Sequence, residues 1–159
     1  MKSTWISLAV WIVGTSLAAI SGAVTAKEAA RFYGLLEKPR WAPPAWLFGP
    51  AWTVLYIVMA VAAWRIWREF GFDGARGELI LYFVQLALNA GWSWFFFVKH
   101  TGLGATIEVS FMLTAVIATM TAFALRDPIA GLLFVPYVMW VSFATALTVS
   151  VWRRNPTLL

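Results

Sequence analysis

Five stretches of this chain are long enough and apolar enough to cross a membrane, and little is left over between them. A hydrocarbon core of about 30 Å takes about 20 residues of helix. Trp5–Ala26, Trp46–Trp64, Leu79–Val98 and Ile129–Trp152 carry no charged residue, and Gly104–Leu125 carries only Glu108. All 12 Lys and Arg fall outside these runs, as the cost of placing charge in lipid demands. The reading is an all-α membrane protein, a five-transmembrane-helix bundle forming one domain over residues 1–159. A soluble domain is excluded by composition, since 12% of the residues are charged against about 25% in soluble chains. The formal net charge of +5 is scattered between apolar runs and builds no basic face for nucleic acid. There is no Cys, which removes disulfides, thiolate zinc sites, iron–sulfur ligation and cysteine nucleophiles.

The first run raises a question of processing. Met1-Lys2 followed by an apolar stretch ending in Ala23-Val24-Thr25-Ala26 has the outline of a secretory signal, but the run exceeds the usual apolar core of about 7–15 residues. Gly14, Ala18 and Gly22 also recur every fourth residue, a stripe that suits close helix packing, so a retained first helix is expected. The basic residues divide as Lys2, Arg65, Arg68, Arg76 and Arg126 on one side, and Lys27, Arg31, Lys38, Arg40, Lys99, Arg153 and Arg154 on the other. The positive-inside rule then puts the C-terminus in the cytoplasm and the N-terminus outside.

Connections are short except for the loop Lys27–Ala45, which holds Tyr33, Pro39, Trp41, Pro43 and Pro44. Glu28–Leu36 is expected to form a short helix ended by Pro39. The aromatic, proline-stiffened remainder reads either as a lid over the bundle or as an interfacial tryptophan belt.

Few polar residues lie inside the spans. Gln85, Asn89 and Ser93 recur four apart on one helical face, beside Trp92 and Phe96, and must turn inward as helix glue or cavity lining. Glu108 is a functional candidate as an intramembrane acid; pairing with another helix and snorkelling to the nearby interface are the competing readings. His100 stands alone at a span end with no second histidine, so paired ligation of haem or a metal is not readable. Trp52 and Tyr56 stand at i and i+4, as do Trp140 and the small Ala144. Aromatic walls with a few polar groups describe a site for a flat hydrophobic ligand, while ordinary helix packing accounts for the same spacing. Pro136 is expected to kink its helix or free a carbonyl.

Four segments, taken together, resemble the TspO/MBR family of tryptophan-rich sensory proteins, relatives of the mitochondrial translocator protein. They are Glu37-Lys38-Pro39-Arg40-Trp41-Ala42-Pro43-Pro44, Gly49-Pro50-Ala51-Trp52-Thr53-Val54-Leu55-Tyr56, Leu88-Asn89-Ala90-Gly91-Trp92-Ser93, and Pro136-Tyr137-Val138-Met139-Trp140-Val141-Ser142-Phe143-Ala144-Thr145. They stand in the family's order and spacing. The resemblance implies a five-helix homodimer whose pocket opens toward the first loop and binds porphyrins, with protoporphyrin IX or haem as ligand and no required cofactor. It also implies a ligand site of Tyr33, Trp41, Trp52, Tyr56, Asn89, Trp92, Trp140 and Ala144. Tyr56 and Trp92 replace Phe found in many relatives. In the stretch Leu147–Arg153, Val149 and Ser150 occupy the region where the cholesterol motif of animal members carries a Tyr, so sterol recognition through it is not expected.

Three functions follow from that resemblance and those residues. The first is a porphyrin-binding sensor or transport regulator. The second is a light- and oxygen-dependent porphyrin-degrading enzyme, with Trp52 and Trp140 as the candidate catalytic residues. The third, a proton-coupled transporter, has Glu108 alone to stand on, without the internal repeats that mark many such proteins. Helical spans place the chain in a bacterial inner membrane, since outer membranes mostly hold barrels.

Overall fold

Lipid offers the backbone no hydrogen-bond partner, so uncharged runs of this length satisfy themselves as helices. The computed structural model describes residues 2–17 and 26–159, and among these the secondary structure is entirely helical. In chain order the helices are α1 (Lys2–Leu17), α2 (Ala26–Leu35), a 3₁₀ turn (Ala45–Leu47), α3 (Phe48–Gly74), α4 (Arg76–Phe97), α5 (Gly102–Arg126) and α6 (Pro128–Arg154). The last four are long and apolar enough to cross a membrane. The expected first span begins as α1; its remainder, with Ala18, Gly22 and the Ala23–Thr25 stretch, lies outside the described residues. The short helix expected at Glu28–Leu36 is found as α2.

The expected second span stops at Trp64, whereas α3 continues ten residues further to Gly74. Charge limits the hydrocarbon crossing but not the helix. Beyond Trp64, Ile66 is fully buried while Arg68 and Glu69 face outward. A break follows at Gly71, whose φ of 67° and ψ of −177° lie in a region open essentially only to glycine. The chain then reverses through Ala75 into α4.

The reversal between α5 and α6 is built differently. Asp127 caps α6 by accepting a hydrogen bond from the Ile129 amide at 2.9 Å, with Pro128 in the first turn, where its missing N–H costs nothing. Gly131 permits the close crossing: a Cβ there would sit 2.4 Å from Ala124 Cβ and 2.6 Å from its Cα. Pro136 is accommodated within α6, which runs unbroken to Arg154.

Helices α3 to α6 form an up-and-down bundle, with α5 packed on α4 and α6, and α3 packed on α6 and α1. Its centre is filled by Met59, Ile66, Tyr82, Met112, Phe123, Phe134 and Tyr137, all fully buried. Helix α1 is joined to the bundle by polar as well as aromatic contacts. Thr15 and Tyr82 share a hydroxyl hydrogen bond of 2.6 Å, Trp64 Nε1 donates to Ser7 Oγ at 3.1 Å, and Trp11 packs against Trp67 and Tyr82.

Candidate functional site

The polar face of α4 turns into the bundle and organises the site. The Tyr56 hydroxyl donates to Asn89 Oδ1 at 2.5 Å. Asn89 Nδ2 donates to the Tyr137 hydroxyl at 3.0 Å, which donates in turn to Gln85 Oε1 at 3.0 Å. All four residues are buried. The chain of donors ties α3, α4 and α6 together at one level, and leaves Gln85 Nε2 without a partner among the described residues. Buried polar groups in such a network are costly to leave unpaired, which makes the arrangement specific.

Aromatic rings cover this network on the side of the first loop. Trp52 lies against Tyr56 with ring centroids 5.7 Å apart, and meets Tyr137 and Trp140 edge-on at 6.2 and 6.4 Å. Phe48 meets Trp140 edge-on at 6.0 Å, and Tyr33 meets Phe48 edge-on at 5.4 Å. Trp41 is half exposed and meets Phe143 edge to face at 5.6 Å. Phe143 in turn touches Trp140 at 5.7 Å. Tyr33, Trp41, Trp52, Tyr56, Asn89 and Trp140 are therefore joined through one set of contacts. Trp92 stands apart, stacked on Phe96 at 5.6 Å, one turn beyond Asn89. Ala144 is buried one turn beyond Trp140. The indole nitrogens of Trp92 and Trp140 are buried with no partner among the described residues.

The loop is held over the rings by specific bonds. Tyr33 donates its hydroxyl to Pro43 O at 3.0 Å, and burial raises its pKa above the ordinary tyrosine value, so the hydroxyl keeps its proton and remains a donor. Lys38 Nζ donates to Tyr33 O and Leu36 O, each at 2.7 Å, and lies 4.9 Å over the Tyr33 ring. Asn155, just beyond α6, imitates a backbone partner for the loop. Its Oδ1 accepts from the Glu37 amide at 2.8 Å, and its Nδ2 donates to Glu37 O at 2.9 Å.

Glu108 lies inside the bundle, buried on α5, with both carboxyl oxygens lacking a hydrogen-bond partner among the described residues. A Cβ built on Gly91 would sit 3.4 Å from its Oε1, so the carboxyl group rests against that glycine of α4. His100 is exposed at a φ of 50° and stacks on Phe32 at 3.9 Å.

Tyr137, Phe48, Phe143 and Asn155 are part of this arrangement and were not singled out by spacing. A signal existed for Tyr137, since a phenol deep in an apolar run must find a partner for its hydroxyl. Asn155 offers none, because its partner lies 118 residues away.

Bundle and site together define a class: a helical, multi-pass membrane protein whose buried polar centre is capped by an aromatic cluster and a tethered loop. A family model for the TspO/MBR family matches residues 6–153, and the chain belongs to that family. It is 40% identical over 150 residues to protein CrtK of Rhodobacter capsulatus, covering 93% of this chain and 92% of that one. It is 36% identical over 155 residues to the tryptophan-rich sensory protein of Cereibacter sphaeroides, covering 98% and 95%. The human translocator protein is 38% identical over 130 residues, covering 80% of this chain and 77% of its own.

Proposed function

We propose that this protein binds porphyrins and related flat, hydrophobic tetrapyrroles within the membrane and acts as a sensor or transport regulator. The observation that carries the reading is the meeting of Trp52, Tyr56, Tyr137 and Trp140 above Asn89, beneath a loop tied down by Asn155. Aromatic surfaces supply most of the binding energy for a planar macrocycle. Trp52 and Trp140 now meet edge to face, so a ligand would enter by parting them. The buried, partnerless Trp140 Nε1 is a donor suited to a polar edge of the ligand. The names of its relatives, a sensory protein and a translocator protein, favour binding over a structural role.

The same reading includes a fifth crossing that begins with α1, a homodimer, and residence in a bacterial inner membrane. Blue-native electrophoresis and crosslinking in native membranes test the dimer. The ligand itself is tested by titrating protoporphyrin IX in the dark into the detergent-purified chain while following tryptophan fluorescence. Saturable quenching that weakens in Trp140→Phe and Ala144→Phe supports the site. Equal affinity in both variants moves it elsewhere.

A second reading is favoured by one contact. Trp52 and Trp140 lie with centroids 6.4 Å apart, close enough for one indole to pass an electron to the other. Bound protoporphyrin would then act as photosensitiser, dioxygen as oxidant and the two indoles as electron partners. Illumination of the bound pigment separates the readings: spectral change that needs light and is lost in Trp52→Phe and Trp140→Phe supports degradation, and product formed equally in the dark excludes it.

A further inference from the structure

A groove of about 650 Å³ runs along the outer face of the bundle between α5 and α6, away from the aromatic cluster. Its wall is apolar at Leu113, Ala146 and Val149, and it extends from Ser142 to Arg153 and Arg154. Twelve residues of α6 at about 1.5 Å each make this about 18 Å, close to the half-thickness of about 15 Å of a hydrocarbon core. The two arginines stand at the mouth, where α6 ends. Neither makes an ion pair among the described residues, and Arg154 Nε reaches only Ser150 Oγ at 3.5 Å.

The opposite end of the bundle handles its arginines differently. Arg65 is paired with Asp127 at 2.7 Å and Arg126 with Glu78 at 2.6 Å. Around that end, among the described side chains, Arg65, Arg68, Arg76 and Arg126 are balanced by Glu69, Asp73, Glu78 and Asp127. Around the groove's end the described side chains Arg31, Lys38, Arg40, Lys99, Arg153 and Arg154 face Glu37 alone. That excess marks the cytoplasmic face by the positive-inside rule, and the cytoplasmic leaflet carries the anionic lipids.

We propose that this groove holds one anionic phospholipid, with its phosphate on Arg153 and Arg154 and an acyl chain along Leu113, Ala146 and Val149. Guanidinium groups bind phosphate oxygens through charge-assisted, paired hydrogen bonds, and basic recesses between membrane helices take acidic headgroups. Two of the groove's three hydroxyls are turned to their own helix: Ser142 and Thr145 donate to Val138 O and Val141 O, each at 2.8 Å. The third, Ser150, lies beside Arg154 at the mouth, so the wall is mainly apolar below it.

The test is native mass spectrometry of the full-length chain released from micelles, with phosphatidylglycerol and phosphatidylcholine of matched chains offered together. The expected result is preferential retention of one phosphatidylglycerol. Retention falls roughly tenfold or more in Arg153→Gln/Arg154→Gln and falls also in Ala146→Trp, which fills the groove and leaves the charges. Arg68→Gln/Arg76→Gln at the other end leaves retention unchanged. Equal retention of the two lipids, or full retention in either groove variant, overturns the proposal. So does displacement of the lipid by glycerol 3-phosphate at equal concentration, which would make the site one for free phosphate. Should the arginine variant not fold, judged by its helical circular dichroism, Ala146→Trp decides alone.

Discussion

Tyr137 shows how much one hydroxyl holds in a membrane interior. It accepts from Asn89 and donates to Gln85, so removing it strands both. Tyr137→Phe is expected to cost about 1–3 kcal/mol for each group left unpaired, read as a lower melting temperature in detergent. Tyr82→Phe breaks only the bond with Thr15 and is expected to cost less. Gly71 is the opposite case, a residue chosen for what it lacks. Nothing lies within 4 Å of where its Cβ would be, so the cost of Gly71→Ala is conformational alone. A loss of about 1–3 kcal/mol is expected from its φ and ψ, with the same helical content by circular dichroism.

Elements are joined here by short polar devices at their ends. Asp127 caps α6 and binds Arg65 of α3 at 2.7 Å. The Arg65 hydrogen bond, aided by the Ile129 and Ala130 amides, holds the Asp127 carboxyl below the usual carboxylate range. A lowered folded pKa contributes stability that is complete above the unfolded value of about 3.9 and is lost as pH falls through the folded value. Asp127→Asn is therefore expected to melt below the parent at pH 7, with the gap closing as the pH drops below about 4. At the other end of α6, Asn155 secures the loop by two bonds to Glu37. Asn155→Ala is expected to raise amide exchange at Glu37 by roughly tenfold or more and to speed both entry and release of the proposed porphyrin ligand. Unchanged exchange at Glu37 would mean that the loop is held by Tyr33 and Lys38 alone.

At the scale of the whole molecule the distribution of charge sets orientation. Among the described side chains, Arg31, Lys38, Arg40, Lys99, Arg153 and Arg154 crowd the end that carries the loop, while four arginines and four acids balance the other. The chain has no Cys, so single cysteines report topology without background. Arg40→Cys is expected to react with a membrane-impermeant maleimide only after the cytoplasmic face is opened, and Asp73→Cys in intact cells. The reverse pattern would invert the bundle and place the proposed lipid groove in the outer leaflet.

The four long helices were legible from composition because lipid imposes one rule on every residue of a span, and a single charge shows where the rule stops. A helix outlasts that limit in α3, where Arg65 finds Asp127 and the helical backbone continues past the charge. The inward turn of Gln85 and Asn89 was legible for the same reason, since polar groups four apart in lipid have nowhere else to go. Trp52, Tyr56, Trp140 and Ala144 were visible as i, i+4 pairs, but spacing could not choose between packing and a shared site. That choice depends on which helix faces which. Only the tertiary structure placed Tyr137 between Asn89 and Gln85, set Trp52 edge-on to Trp140, and carried Asn155 to Glu37. It also buried Glu108 against Gly91, where position along the chain had allowed it to reach the interface. Period and polarity act within one helix and are written in the sequence, whereas these pairings join residues on different elements and exist only once the helices have packed.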